Sequence, residues 1–521
     1  MSFLQQGIAD SNQISTALAN AVFANSSFSY SIIGNLLDQG GNPNVIIPEA
    51  GETILQHAVR RNMGYMIIGR ILDAGANPNM VARQGQPTAL TLALESPHHP
   101  GSHLICRICD AGADPNLARP NGEDALIFLL RTDPSTFLLS RLLDAGHHAN
   151  GVNNSGETVL ICALRAKSSE YIIQKIVQAG ADPNVSNVEG TPALVLAMQS
   201  AKVASWIALV DRGAHVNARD GNGWTALMYA SRIPLSQGHP LFRQTLESSL
   251  QSSRSSLEES RQQFQSFLGL VRDSVAPESL RQTEEMIRRR SEEMRRRIEA
   301  NIRVQEIQLA VSSGQKSHLT ALLEVCATTI DVDAQARDGR TALMIASQAG
   351  MVEHVTALLN TGRARCLLRN YQGQTAFHLA AWAGQTTVVL ALLAHCPVTL
   401  YDIDWFGRHA LHCSLLSGHA ATALAILNAD LEDKALLWLA RQKDNEGNTA
   451  LVLAARLGHV DLVKQLVPLV TEDQICHAQV STRLGVGSEL ARLQIHHHLL
   501  ITLVKQYHWF RQPGSAAPRR G

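Results

Sequence analysis

Gly-Ala-Asn-Pro-Asn at 75–79 returns as Gly-Ala-Asp-Pro-Asn at 112–116 and 180–184, and as Gly-Ala-His-Val-Asn at 213–217. A weaker copy, Gly-Gly-Asn-Pro-Asn, lies at 40–44. Each copy is followed some nine to twelve residues later by a run of the form Thr-x-Leu-x-x-Ala. A phrase that returns at a fixed period means stacked units rather than a globule with one central pocket. The functional question moves with it, from catalysis towards surfaces.

The Thr slot of that run serves as a ruler. It falls at Thr53, Thr88, Asp124, Thr158, Pro192 and Thr225, in steps of 35, 36, 34, 34 and 33. It resumes at Thr341, Thr375, His409 and Thr449, in steps of 34, 34 and 40. In each unit an oxygen-bearing side chain is placed to cap a first helix by accepting a backbone N–H. A short turn and a second helix follow, with Leu or Ile at i, i+3 and i+4. Gly then takes the left-handed C-cap position, and the Asp/Asn-Pro-Asn stretch leads into a projecting turn.

At this point the chain resembles the ankyrin-repeat family, whose period is about 33 with a Thr-Pro-Leu-His-x-Ala helix start. The best matches are Gly223-Trp-Thr-Ala-Leu-Met-Tyr-Ala230, Gly373-Gln-Thr-Ala-Phe-His-Leu-Ala-Ala381 and Gly447-Asn-Thr-Ala-Leu-Val-Leu-Ala-Ala455, with Gly458-His459 opening a family-like second helix. The resemblance covers most of residues 30–470 outside one interruption, and implies an all-α solenoid of helix-turn-helix repeats with projecting turns. His409 and Pro192 cannot cap as Thr does, and Gly146-His-His-Ala-Asn150 loses the acid and the Pro of its phrase. Those units are expected to be locally less regular.

Thr225 to Thr341 spans 116 residues, far more than one period. Residues 305–335 read as one repeat's worth, with 306–311 as a first helix and 318–324 as a second. That leaves an insert over about 233–304. Its apolar residues fall on two seven-residue series, Leu250, Leu257, Phe264, Val271 and then Leu280, Ile287, Met294, extended by Ile298 and Ile302. Between them Asp273-Ser-Val-Ala-Pro-Glu278 stops one helix and starts another. The expectation is an antiparallel hairpin with a narrow coiled-coil-like seam. Its second helix carries Arg288-Arg-Arg290 and Arg295-Arg-Arg297. These read either as a nuclear-import or nucleic-acid patch or as a solvated face braced by the pairs Glu284–Arg288, Glu285–Arg289, Glu292–Arg296 and Glu293–Arg297. Residues 277–305 hold eight Arg and six Glu, a net of 8 − 6 = +2, which favours the solvated face.

Composition excludes much else. Lys+Arg and Asp+Glu are both 45, so no chain-wide attraction to nucleic acid or anionic membrane is indicated. Eight of the basic residues are Lys, leaving 45 − 8 = 37 Arg, a skew that fits codon bias or avoidance of ubiquitin attachment. The eight Cys have no disulfide spacing framework, which points to a reducing compartment. The opening residues have neither a basic n-region nor an apolar h-region, so no signal peptide is read. No stretch approaches the roughly 18 uninterrupted apolar residues of a membrane span.

Catalytic and metal motifs dissolve on inspection. Cys106-x-x-Cys109 falls in register with Gly69 and Leu72 of the preceding unit, which makes Cys109 a small core residue. His496-His-His498 diverge by about 100° per residue on a helix and cannot chelate as an i,i+4 pair could. His378 and His412 occupy the family's His slot, so the resemblance implies structural roles. Gly314-Gln-Lys-Ser317 lacks the upstream Gly of a phosphate loop, and Gly485-Val-Gly487-Ser488 lacks a dinucleotide-binding context. No cofactor, metal or enzyme activity is expected.

The resemblance implies binding on a concave side built from turn tips and first helices. The family's variable slots are the two residues after the turn Asp/Asn, the one before Thr, and those after the Ala pair. Carried over, they select Trp224, then Arg337, Asp338 and Arg340, then Tyr371, Gln372 and Trp382, then Trp405, Phe406 and Arg408. Aromatic and Arg side chains on adjacent tips are the material of interface hot spots.

The expected division is 1–44, an N-terminal capping or degenerate repeat; 45–232, a first array; 233–304, the hairpin; 305–470, a second array; 471–511, C-terminal capping helices; and 512–521, a disordered tail. Leu490, Leu493, Leu499, Leu500, Ile501 and Leu503 would cover the last repeat. The expected function is a non-enzymatic protein-binding scaffold or adaptor. A Lys-poor chain without a leader also suits a bacterial effector acting on a eukaryotic host protein in the host cytosol. The runner-up is a nucleic-acid-binding or nuclear-targeted protein using the Arg-rich hairpin.

Overall fold

A computed structural model describes residues 11–24, 29–83, 85–95, 102–117, 125–132, 136–153, 155–234, 240–274, 277–471, 473–476, 478, 495, 497–499 and 501. The chain forms two compact units, 1–215 and 216–521. Both are mostly helical, and the fold is all-α, made of helix-turn-helix repeats with projecting turns. The named strands, Ile46–Ile47 and Glu52–Thr53, form one short antiparallel turn.

Among the described residues of the 1–215 unit six helix pairs follow one another, from Ser11–Ala24 with Ser29–Asp38 to Ala193–Gln199 with Val203–Asp211. The first helices are short and rich in Ala, so neighbours approach closely and nearly every side chain is buried. Thr53 shows the expected cap: its Oγ1 accepts from Gln56 N at 3.1 Å, while Gln56 Oε1 accepts from Thr53 N at 2.8 Å.

The recurring phrase has a physical meaning. Gly75 and its counterparts take positive φ and close the second helix. The residue two after Gly turns the chain locally, as Asn79 N donates to Asn77 Oδ1 at 3.0 Å. The final Asn staples the next unit from both ends of its amide. Asn150 Nδ2 donates to Gly180 O at 3.0 Å, and its Oδ1 accepts from Asp182 N at 2.8 Å. Asn44, Asn79, Asn116 and Asn184 repeat this pair of bonds one period apart. Asn150→Ala removes both bonds at an exposed site and is expected to cost about 1 kcal/mol in urea unfolding, with Asn150→Asp, which keeps the acceptor, losing less.

The staple also explains where the expected irregularity fails to appear. His148 stands in the slot of the lost acid, yet His148 N donates to Asn116 Oδ1 at 2.6 Å. The staple needs only a backbone N–H there, so the side chain is free to change. Pro192 and His409 make no side-chain cap, as their chemistry dictates, but the helices Ala193–Gln199 and Ala410–Leu416 start on time and bury their faces. Packing between neighbours supplies what the cap does not.

The 216–521 unit holds the insert. Helices Pro240–Ser274 and Pro277–Ser312, 35 and 36 residues long, pack on each other as a hairpin. Near its base Gln305 Nε2 donates to Ser249 Oγ at 3.0 Å, and Arg254 pairs with Glu306 at 2.6 Å. Glu285–Arg289 forms at 2.5 Å, whereas Arg295 turns to Glu299 at 3.4 Å. Leu250 is buried, but Leu257, Phe264, Ile287 and Ile298 are only half-buried. Met294, placed on the seam by its spacing, is 55% exposed. A rigid heptad drifts on a straight helix, and two helices alone leave its far positions uncovered.

The hairpin interrupts a repeat from within. Helix Pro277–Ser312 runs without a break through residue 305, where the sequence reading opens a new unit. Helix Ala226–Ala230 packs against both His318–Val325 and Ala342–Gln348. Asn217 staples across the insert as its counterparts do across one period, with Nδ2 to Thr329 O at 2.9 Å and Oδ1 from Asp331 N at 2.8 Å. His318–Val325 is therefore the second helix of the repeat that Thr225 opens.

Three further pairs follow: Ala342–Gln348 with Val352–Asn360, Ala376–Trp382 with Thr386–His395, and Ala410–Leu416 with Ala420–Leu427. The 40-residue step to Thr449 is filled by an additional helix, Asp433–Arg441, before Ala450–Leu457 and Val460–Leu466. Cys366 and Cys396 are joined by a disulfide, against the expectation of free thiols, because they come together across two repeats rather than at a local spacing. Towards the C-terminus Leu499 is buried and Ile501 is 37% exposed. Leu490, Leu493, Leu500, Leu503, His496 and the tail 512–521 lie outside the described residues, as does the N-terminal stretch 1–10.

Candidate functional site

Four tips of the 216–521 unit are each built around one short polar side chain, while the tip at 336–340 has Ala336 in that slot and takes Arg340 N on Asp338 Oδ1 at 3.0 Å instead. Asp404 Oδ1 accepts from Phe406 N and Arg408 N, both at 2.9 Å. Asp220, Asn370 and Asp444 hold their own turns in the same way, each taking two backbone N–H groups. A glycine with positive φ completes each turn, and at Gly223, Gly339, Gly373 and Gly407 the next turn lies against it. A Cβ on Gly373 would meet Trp405 N at 2.7 Å, and one on Gly223 would meet Arg337 N at 2.8 Å. Gly373→Ala combines a disfavoured φ with a backbone clash, and is expected to lower the unfolding free energy by about 2–3 kcal/mol in a denaturant titration.

That close approach lets the tips bond in series. Arg337 N donates to Asn222 O at 3.0 Å, Tyr371 N to Asp338 O at 3.1 Å, Trp405 N to Gln372 O at 3.2 Å, and Asn445 N to Phe406 O at 3.0 Å. A second row runs beside it. Arg219 Nη1 donates to Gln335 O at 2.6 Å, Gln335 Nε2 to Arg369 O at 3.0 Å, and Arg369 Nη1 to Ile403 O. The tips thus form a continuous bonded strip, not a set of independent loops.

The sequence-selected residues take up two situations on it. Tyr371 (76%), Trp405 (62%) and Phe406 (51%) are exposed on adjacent rungs, with Arg337 exposed one rung before them. Trp224 is half-buried. Its ring lies 5.1 Å from Tyr229 and 5.7 Å from both Arg232 and Arg340, so much of its surface is already occupied. Arg340 is held by Asp338 at 2.6 Å. Trp382, at the end of its first helix, stacks with Arg408 at 5.4 Å.

Arg408 is the organising group. Its guanidinium sits 4.4 Å from the Phe406 ring and is anchored on Asp404 Oδ2 by Nε at 2.8 Å and Nη2 at 2.7 Å. The Asp404 side chain has no exposed surface. Phe406 and Trp382 are therefore preset by a cation whose counter-ion is buried. Arg369, absent from the sequence-selected set, does the same for Trp405 at 5.6 Å while paired with Asp402. The signal for it was its position, one residue before the turn Asn, in the slot that Arg219 holds two units earlier.

Beneath the strip lies a row of buried imidazoles. His378 accepts on Nδ1 from the Thr375 hydroxyl at 2.8 Å and donates from Nε2 to Arg408 O at 3.0 Å. His412 Nε2 donates to Asn448 O at 3.2 Å. Each ties a first helix to the following tip. His409 fills the capping slot instead, with its ring 3.9 Å from His412. Burial pushes His378 and His412 down to about 4, and holds His409 well below the ordinary range. In the other unit burial raises the Cys109 thiol to about 11, as befits a core residue.

Comparison with family models places ankyrin repeats (three copies) at residues 307–402 and a further ankyrin repeat at 446–468. No curated protein matches the chain.

Proposed function

Because the chain is an ankyrin-repeat protein, we propose that it is a non-enzymatic scaffold or adaptor that binds a protein partner along the tips of the 216–521 unit. Ankyrin repeats serve protein–protein interaction, and their presence indicates protein partners. The observation that supports this placement is the strip itself. Exposed Tyr371, Trp405 and Phe406 stand on hydrogen-bonded neighbouring rungs, with Trp405 and Phe406 held by arginines. Preset aromatic side chains lose little entropy on binding, which is what a contact centre needs. Among the described residues no helix is long and apolar enough to cross a membrane.

The test is affinity capture from eukaryotic lysate with the full chain and its Tyr371→Ala/Trp405→Ala variant. The expected result is a partner recovered by the parent and lost with the variant, at unchanged circular dichroism and melting temperature. Equal recovery by a folded variant sinks the reading. The Lys-poor, Arg-rich composition supports a cytosolic setting, and specifically a bacterial effector acting in a host cell. A translocation reporter that never reaches host cytosol counts against that setting. The nucleic-acid alternative draws no specific support from the hairpin, where Arg289 and Arg295 are paired with Glu285 and Glu299.

A further inference from the structure

We propose that Cys366 and Cys396 form a reversible redox clip that sets the rigidity of the tip strip; this rests on the reading of that strip as the partner-binding site. The clip stands where the amide staple has been lost. From Asn116 onward the staple slot lies eight residues before the ruler position: 225 − 8 = 217 and 341 − 8 = 333. Asn217 staples fully. Asp333 still accepts from Arg365 N at 2.9 Å, and the Arg363 guanidinium ties the same junction in the opposite direction by donating back to Ala327 O and Ile330 O. One period on, 375 − 8 = 367, the slot holds Leu367, whose side chain can neither donate nor accept. At that junction the covalent bond from Cys366, next to the slot, reaches Cys396 of the following repeat.

The position ties the clip to function. Cys366 begins the approach to the Tyr371 tip, and Cys396 opens the Pro397–Tyr401 turn that leads to Trp405. Other direct ties across this junction include the Trp405 N–Gln372 O bond, the Arg369 bonds to Asp402 and Ile403, and the His378 Nε2–Arg408 O bond. Cys366 is buried and Cys396 half-buried, which leaves Cys396 as the sulfur open to a small thiol. In the forward direction the Cys396 thiolate attacks one sulfur of a low-molecular-weight disulfide such as oxidised glutathione and releases one thiol. The Cys366 thiolate then attacks the Cys396 sulfur and releases the second. Two protein thiols are oxidised, one small disulfide is reduced to two thiols, and the two protons lost from the cysteines end on them.

The test uses the full chain in buffers of reduced and oxidised glutathione, with alkylation and mass spectrometry to follow the linked peptide and hydrogen exchange to follow the tips. The expected result is a Cys366–Cys396 peptide that forms and disappears with the glutathione ratio. On reduction the Trp405 amide exchanges roughly tenfold faster or more, a change within the range that a cross-link closing such a loop supplies. The Arg337 amide, bonded to Asn222 across a stapled junction, stays unchanged. A Cys366→Ser/Cys396→Ser variant behaves as the reduced protein in every buffer. Absence of the linked peptide at all ratios, or Trp405 exchange that ignores its presence, overturns the proposal. No partner enters the experiment, so its failure leaves the binding role of the strip standing, and loss of that role leaves the chemistry of the clip measurable.

Discussion

Acidification from pH 7 to pH 5 lowers the unfolding free energy of the 216–521 unit by roughly 5 kcal/mol through three histidines alone. His378, His409 and His412 are buried, and burial disfavours their charged forms. Asp404 near His378 and Asp444 near His412 pull the other way, without reversing the shift. His409 faces His412, His378 and Trp438, none of which offers a negative charge. Above the unfolded value of about 6.5 all three are neutral in both states, and the native packing is fully stabilising. As the pH falls from there towards 4, the unfolded chain takes up protons that the folded chain excludes, so stability drops through that window. The slope flattens once the folded imidazoles titrate too. Urea unfolding at several pH values, followed by tryptophan fluorescence, measures this. His409→Thr, which restores the capping residue of neighbouring repeats, is expected to make the dependence shallower. An unchanged slope in that variant would show that the imidazole pair is not what titrates.

Replacing Asp404 with alanine is expected to cost about 4 kcal/mol. One carboxylate there holds two backbone N–H groups of its turn together with Nε and Nη2 of Arg408. Its removal opens the turn and leaves a largely buried guanidinium without its counter-ion, pressed between Phe406 and Trp382. Asp404→Asn keeps the Oδ1 acceptor and loses the charge, so it should fall between. Chemical denaturation of the three proteins gives the ordering. A cost for Asp404→Ala below about 1 kcal/mol would mean that the turn is held by other groups, since ordinary surface changes stay within about half that.

The repeat was legible because its signals are local. A glycine at positive φ, an oxygen cap and an apolar period leave marks within one unit, and the Asn staple fixes the phrase that announces the period. What escaped notice is long-range. The hairpin divides a repeat rather than separating two, as the packing of Ala226–Ala230 on His318–Val325 and Asn217 reaching Thr329 reveal. The additional helix Asp433–Arg441 left nothing but a long step of 40. The Cys366–Cys396 bridge joins residues 30 apart with no spacing rule to announce it. At the candidate site the exposed aromatics followed from family slots, but their holding arrangement did not. Arg369, its partner Asp402 and the buried carboxylate Asp404 are visible only once neighbouring turns are set side by side.

The central claim is that the tip strip of the 216–521 unit, and not any exposed aromatic residue, carries partner binding. The most direct measurement is the affinity of the captured partner for single alanine variants. Tyr371→Ala, Trp405→Ala and Phe406→Ala lie on the strip, while Tyr65→Ala and Tyr171→Ala remove rings 70% and 52% exposed in the other unit. The account predicts a loss of roughly tenfold or more for at least two of the strip variants, the hot-spot scale, and none for the other two. Losses at Tyr65 or Tyr171 with the strip variants unaffected would contradict it.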